Sequence, residues 1–384
     1  MAAQVGFWKP QGPEYQDVDV YHHWSNVISA TGALPPEETW QYPPGTAFLM
    51  LIPRIGGESF RPSFVILMLV FDLIGLWLMT RFAKQEKRDV GVWIWLLVLP
   101  VMGSFSLLRF DLVPTVIAVA ALLVLHRRPA MMGVLAGAGA MIKVWPAFVL
   151  FAEWDRRRLL RSIGAAAAAA AVIWLLAAAV FGDTFGFLTN QKDRGLQIEA
   201  VAASPWNLRD VITDKNAPVV QRFGALEIGS DLADAVAKAL DLLAVLLLLA
   251  AAWWWWARDR AIKRGRSDLA DKALGRDFVF TVALLSVVIS RVLSPQYMIW
   301  LVGLCAVVLS TRGTRVARPA WIVIGAVIIT AGLYQSPANF VVRNLALLYA
   351  SIEAAAVLSL LLFDRTKSRS EEPAAAKAAL APRD

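Results

Sequence analysis

The 384-residue chain is 58% hydrophobic and 18% charged, with one cysteine and a formal net charge of +8. That apolar share is well above a soluble domain's, and the lone Cys305 excludes a disulfide framework. The basic excess does not point to nucleic acid, because the lysines and arginines sit in short loops between hydrophobic runs, where the positive-inside rule places them.

Residues 1–16 lack an apolar core, so no cleavable signal peptide is visible. The next stretch, DVDVYHHWSNVISATGALPPEETWQYPP (17–44), is acidic and carries a belt of Tyr21, Trp24, Trp40 and Tyr42. Its Tyr-Pro-Pro step leads into 43–56, a short apolar segment that reads as membrane-associated. Residues 1–61 therefore read as an external loop with that short membrane-associated segment. A hydrocarbon core of ~30 Å takes roughly 20 helical residues. The fold class is all-α, a polytopic transmembrane helical bundle over 62–363 with about nine full spans of that length. They lie at 62–81, 91–108, 110–126, 161–181, 235–257, 277–293, 296–312, 318–334 and 341–363.

Loops 82–90, 126–130, 152–161, 258–276 and 311–318 and the tail 364–384 carry most of the basic residues, which makes that side cytoplasmic. Alternation then requires 130–151 to enter and leave on one side. Its flanks, HRR and EWDRRRLLR, are both basic, and the segment is broken by Gly133, Gly137, Gly139 and Pro146. A re-entrant hairpin is expected, with a single ordinary span as the other reading; non-helical backbone at that depth must be buried or line a polar cavity. Loop 182–233 is too long for a bare connector and is expected to be functional. The Ala/Pro-rich tail 364–384 reads as disordered.

Ionisable residues at membrane depth are functional candidates by default. Arg109 and Asp111 flank a span start as RFD, where a local ion pair is the plain alternative. Lys143 lies in the broken hairpin, Arg291 precedes SPQY, and Arg194 and Glu199 lie in the outer loop. Together they would make an outer cavity of cations and carboxylates, the complement of a lipid phosphate and an acid–base reaction. No metal set stands out, since adjacent His22 and His23 do not share a face. The glycines of GVLAGAG fit small-residue helix packing better than a phosphate loop.

The ordered pieces DVDVYHHW, WQYPP, RFDLVP, GVLAGAGAMIKVWP, RGLQIEA and SPQYMIWL, spanning 17–301, resemble glycosyltransferase family 87, with its GT-C-type membrane fold. The resemblance implies an inverting transferase of the α-mannosyltransferase kind, moving mannose or a pentose from a polyprenyl-phosphate donor to an envelope glycolipid or polysaccharide. It would act at the outer face of the plasma membrane without a cofactor or metal. It implies a catalytic aspartate in the first external region, Asp17 by its spacing to Val20 and Tyr21, with Asp19 in reserve. Arg194, Arg291, Arg109 and Lys143 would bind the donor phosphate, and Tyr21, Gln197, Glu199, Gln296 and Tyr297 the sugars. The family places a helix ahead of the aspartate, and the expectation is that this sequence starts inside a longer reading frame. A transporter or flippase for lipid-linked sugars is the alternative, because broken helices also mark transport sites.

Overall fold

The computed structural model describes residues 16–192, 194–213, 217–332 and 336–364. The expected disorder of the tail falls on 365–384, outside the described residues. The chain begins with α1 (Gln16–Thr31) and α2 (Gly45–Leu51), then α3 (Phe60–Glu86), α4 (Val90–Val101), a one-turn α5 (Ser104–Leu107) and α6 (Leu112–Leu123). α7 (Pro129–Ala140) is followed by a 3-10 segment (Trp145–Ala152) and α8 (Arg156–Phe181). After α9 (Gly186–Lys192) and α10 (Ser204–Thr213) come two short strands, β1 (Val219–Arg222) and β2 (Ala225–Ile228). α11 (Asp231–Lys263), α12 (Lys272–Val288), α13 (Tyr297–Ser310), α14 (Ala317–Gly332) and α15 (Pro337–Phe363) complete the bundle.

Four helices, α3, α8, α11 and α15, are long and apolar enough to cross a membrane, and shorter apolar helices fill in between them. Leu73, Leu175, Leu176, Leu242, Leu249 and Leu360 stay exposed on these four, as suits helices that face lipid tails. The fold is mostly helical but not all-α. β1 and β2 pair antiparallel, Val219 with Ile228 through Arg222 with Ala225. The turn uses positive φ at Phe223 and Gly224, and Glu227 of the hairpin bridges to Gln197 earlier in loop 182–233. The acidic 17–31 stretch is also helix, α1, rather than loop. Its Val18, Tyr21, Trp24 and Ile28 recur at helical spacing and are buried, so packing decides its form.

α7 and the 3-10 segment run out and back. At their open end, His126 Nδ1 lies 2.7 Å from Glu153 Oε1; at the closed end the chain turns through 141–144. Gly133 and Gly137 let α7 lie against α8, since a Cβ at either would sit 2.1–2.2 Å from a carbonyl oxygen of Ser162 or Ala166. This is backbone-to-backbone helix packing. The closed end is clamped by α2. Gly45 abuts the Met141 carbonyl, and the Thr46 hydroxyl donates to the Ile142 carbonyl at 2.9 Å.

The helix ends thus sort into two poles. One gathers the basic loops: Arg276 with Glu86, His126 with Glu153, and Arg266 with Asp268 and the Leu361 carbonyl. The other gathers α1, α2, the α7 turn, β1–β2 and the start of α13.

Candidate functional site

The site is built at the second pole, around a residue at the start of α6. Asp111 occupies the α6 N-cap position, yet its side chain makes no capping bond. It turns away to Lys143 at the tip of the α7 turn, Nζ to Oδ1 2.5 Å, and accepts from Trp300 Nε1 at 2.7 Å on the same oxygen. Asp111 is 1% exposed and Lys143 7%. Oδ2 of Asp111 is buried with no hydrogen-bond partner among the described residues. A buried carboxylate oxygen left without a donor is costly, so this atom is an acceptor awaiting a ligand donor.

Four rings enclose the Lys143 ammonium. Its Nζ lies 5.3 Å from the centroid of Tyr42, 5.0 Å from Phe110, 5.4 Å from Tyr297 and 5.0 Å from Trp300. These are cation–π distances. Tyr297 stacks on Trp300 at 4.1 Å, and Trp300 on Trp145 at 5.3 Å. Burial pushes the Tyr42 hydroxyl above its ordinary range, Asp111 and Tyr297 add to the shift, and Arg194 opposes it. Tyr42 therefore stays protonated and can donate.

The two aspartates of α1 part company. Residues two apart on a helix point about 200° from each other. Asp17 pairs with Arg109, two residues from Asp111, and Arg109 is close enough to act electrostatically on Lys143. Asp19 faces the start of α3, where Arg61 grips both its oxygens, Nε to Oδ1 2.7 Å and Nη2 to Oδ2 2.8 Å. The local Arg109–Asp111 pair considered from the sequence does not form; each takes a partner distant in the chain.

Arg194 enters from the outer loop. Its Nη1 donates to Gln41 Oε1 at 2.7 Å, and its Nε is 3.8 Å from Glu227 Oε1 on β2. Glu227 is 1% exposed, and neither carboxylate oxygen has a hydrogen-bond partner among the described residues. Gln197 faces Glu227 across an isolated antiparallel bridge, and its amide nitrogen donates to Ser294 at 3.3 Å.

The remaining sequence candidates make no hydrogen bond or ion pair with Asp111 itself among the described residues. Arg291 pairs with Asp241 at 3.0 Å, and Glu199 with buried Arg343 at 3.6 Å. Tyr21 is packed among Trp24, Phe64 and Phe110, so its ring is interior rather than a free stacking face. Gln296 forms the N-cap position of α13 without a capping bond. The structure thus brings Asp17, Arg109, Lys143, Arg194 and Tyr297 around Asp111, with Gln197 next to Glu227.

Gln41 and Glu227 were not singled out from the sequence, and Asp111 was named there only beside Arg109, with a local ion pair as the plain alternative. For Asp111 a signal existed, an acid at the mouth of an apolar span. Glu227 lies in an unremarkable ALEI strand and gave none. Among the described residues, no group of three or more His, Cys, Asp or Glu is placed to hold a metal ion.

The model for glycosyltransferase family 87 matches residues 40–290, a stretch that includes Arg109, Asp111, Lys143, Arg194 and Glu227. No curated protein and no solved structure gives a match.

Proposed function

The chain belongs to glycosyltransferase family 87, and from that premise we propose that it moves mannose or a pentose from a polyprenyl-phosphate donor to a glycolipid or polysaccharide of the cell envelope. The observation that carries this reading is the cluster of Arg109, Lys143 and Arg194 about a buried carboxylate, at the pole away from the basic loops. With the basic loops cytoplasmic, that pole is the outer face of the plasma membrane. The apolar helices form a GT-C-like bundle of about nine spans, and the α7 turn enters and leaves on the cytoplasmic side.

Asp17 is the general base. Both oxygens of Asp19 are held in the Arg61 fork, which suits a structural clamp; Asp17 shares its partner with the phosphate-binding cluster. When the donor phosphate draws Arg109, Asp17 is released to accept the proton of an acceptor hydroxyl. The acceptor oxygen bonds to the anomeric carbon as the carbon–oxygen bond to phosphate breaks, and the configuration inverts. Polyprenyl phosphate leaves with the bonding pair, its new charge stabilised by Arg109, Lys143 and Arg194. Asp111 Oδ2 and Gln197 accept from sugar hydroxyls, and Tyr42 and Tyr297 provide ring faces and hydroxyls.

Membranes holding the protein, given labelled polyprenyl-phosphate mannose or polyprenyl-phosphate pentose and an envelope glycolipid extract, should yield one labelled product of inverted anomeric configuration. A product that retains configuration removes the single-displacement mechanism. Absence of product together with movement of the donor across a liposome bilayer would put the flippase reading first.

A further inference from the structure

A cavity of about 430 Å³ lies at the other pole, lined by Glu86, Trp154, Asp271, Lys272, Arg276, Thr311 and Arg312, with Ala270 and Ala273. That volume is at the lower end of small-molecule pockets, about 300–1,000 Å³. Its chemistry follows from counting donors and acceptors. Glu86 Oε1 accepts from Arg276 Nη1 at 2.7 Å and Oε2 from the Arg312 backbone N–H at 3.3 Å. Asp271 Oδ1 accepts from the Ala273 backbone N–H at 3.0 Å and Oδ2 from Arg315 Nη1 at 3.1 Å. Each oxygen of both carboxylates already accepts from a donor of the protein, and each carboxylate is paired with an arginine.

The donors are in surplus. The Lys272 ammonium and Arg312 guanidinium, both exposed, form no ion pair among the described residues. Arg276, 3% exposed, keeps a buried Nε without a hydrogen-bond partner. After Arg276–Glu86 and Arg315–Asp271 neutralise each other, Lys272 and Arg312 remain as uncompensated charge at the N-terminal end of α12, where the helix dipole also favours an anion. Trp154 closes one wall, its ring against His126 and the Arg258 guanidinium.

We propose that this cavity binds a phosphate monoester, presented by the headgroup of an anionic phospholipid. Basic pockets between helices at the cytoplasmic surface take such headgroups, and this one opens among helix ends. The site is independent of the transferase reading and lies at the opposite pole from its catalytic residues.

The test uses the full chain in nanodiscs of zwitterionic lipid, titrated calorimetrically with dioctanoyl phosphatidic acid and separately with inorganic phosphate. Wild type should bind the lipid saturably. Lys272→Ala with Arg312→Ala should weaken binding at least about tenfold, as loss of a charge-assisted hydrogen bond implies. A control of equal charge change, Arg157→Ala with Arg161→Ala on the exposed start of α8, should leave the affinity in place. Inorganic phosphate binding as tightly as the lipid, and lost in the same double variant, supports the phosphate site and makes a soluble phosphate its source. Equal weakening in the two double variants, or no saturable binding of either probe, would overturn the proposal.

Discussion

The two poles pair their carboxylates differently. At the basic pole, half-buried Glu86 and Asp271 and buried Asp277 are bonded on every oxygen, Asp277 by the Thr314 hydroxyl at 2.7 Å and the Arg315 backbone N–H at 2.8 Å. Among these and buried Glu153, beside His126, only Glu153 keeps an oxygen, Oε2, without a donor. At the other pole, Asp111 keeps one oxygen without a donor and Glu227 keeps both. An unpartnered oxygen alone does not mark a site, since Glu153 and Glu353 each keep one as well. What distinguishes Asp111 and Glu227 is that their unpartnered oxygens lie with the cations Lys143 and Arg194, where a ligand can supply the missing donor.

The contrast can be broken most sharply at the Asp111–Lys143 pair. Lys143→Met or Asp111→Leu alone should destabilise the protein by about 3–5 kcal/mol, the cost of stranding one member of a buried pair. The double variant should regain most of that in a thermal melt while sugar transfer stays absent. Recovery of transfer in the double variant would mean the pair serves stability only. Next comes Glu227→Gln. Removing a buried charge that accepts no hydrogen bond should leave the melting temperature unchanged or raised, while transfer falls about tenfold as Arg194 loses its counter-charge. A melting temperature that drops with activity intact would place Glu227 with the structural acids.

Glu86→Gln sharpens the comparison from the other side. It leaves the buried Arg276 guanidinium undercompensated, at a cost of about 1–3 kcal/mol, and transfer per folded molecule should be unchanged. The smallest effect is expected at His126, in the turn after α6. Burial holds its imidazole below the ordinary 6.5, opposed by Glu153 and reinforced by Arg158 and Lys272. The unfolded chain therefore takes up the proton first. This contribution to stability is complete above pH 6.5 and is lost as pH falls below it. Melts between neutral and mildly acid pH should show that decline, and His126→Gln should flatten it.

Much of the architecture was legible because a bilayer leaves the chain few choices. Apolar runs had to be helices, and each stretch read as a span carries helix, as at α3, α8, α11 and α15. The basic flanks of 130–151 are the ground for expecting them to share a side, and His126 at one flank meets Glu153 at the other. The β1–β2 hairpin was not legible, because VVQR and ALEI are short and sit in a polar loop with no alternation to mark them. The acidic first segment read as loop because its charges are conspicuous and its packing stripe of Val18, Tyr21 and Ile28 is not. In the site, Lys143 and Arg109 stood out as cations at membrane depth, Arg194 was read in the long loop, and Tyr297 came only from the family resemblance. Asp111 was visible but was credited to its near neighbour Arg109, since spacing in sequence cannot show a partner brought by a folded turn. Glu227 needed the hairpin, and so could not be read at all.

The central claim is that Asp17 removes the acceptor's proton while Asp19 clamps α1 to α3. The direct measurement is the initial rate of sugar transfer from labelled polyprenyl-phosphate mannose in wild type, Asp17→Asn and Asp19→Asn, each checked for membrane insertion and melting temperature. Loss of a general base costs about 10²–10⁴-fold in rate. The account predicts that loss in Asp17→Asn at unchanged stability, and a lowered melting temperature with most of the rate retained in Asp19→Asn. A fully active Asp17→Asn, or the loss appearing only in Asp19→Asn, would contradict it.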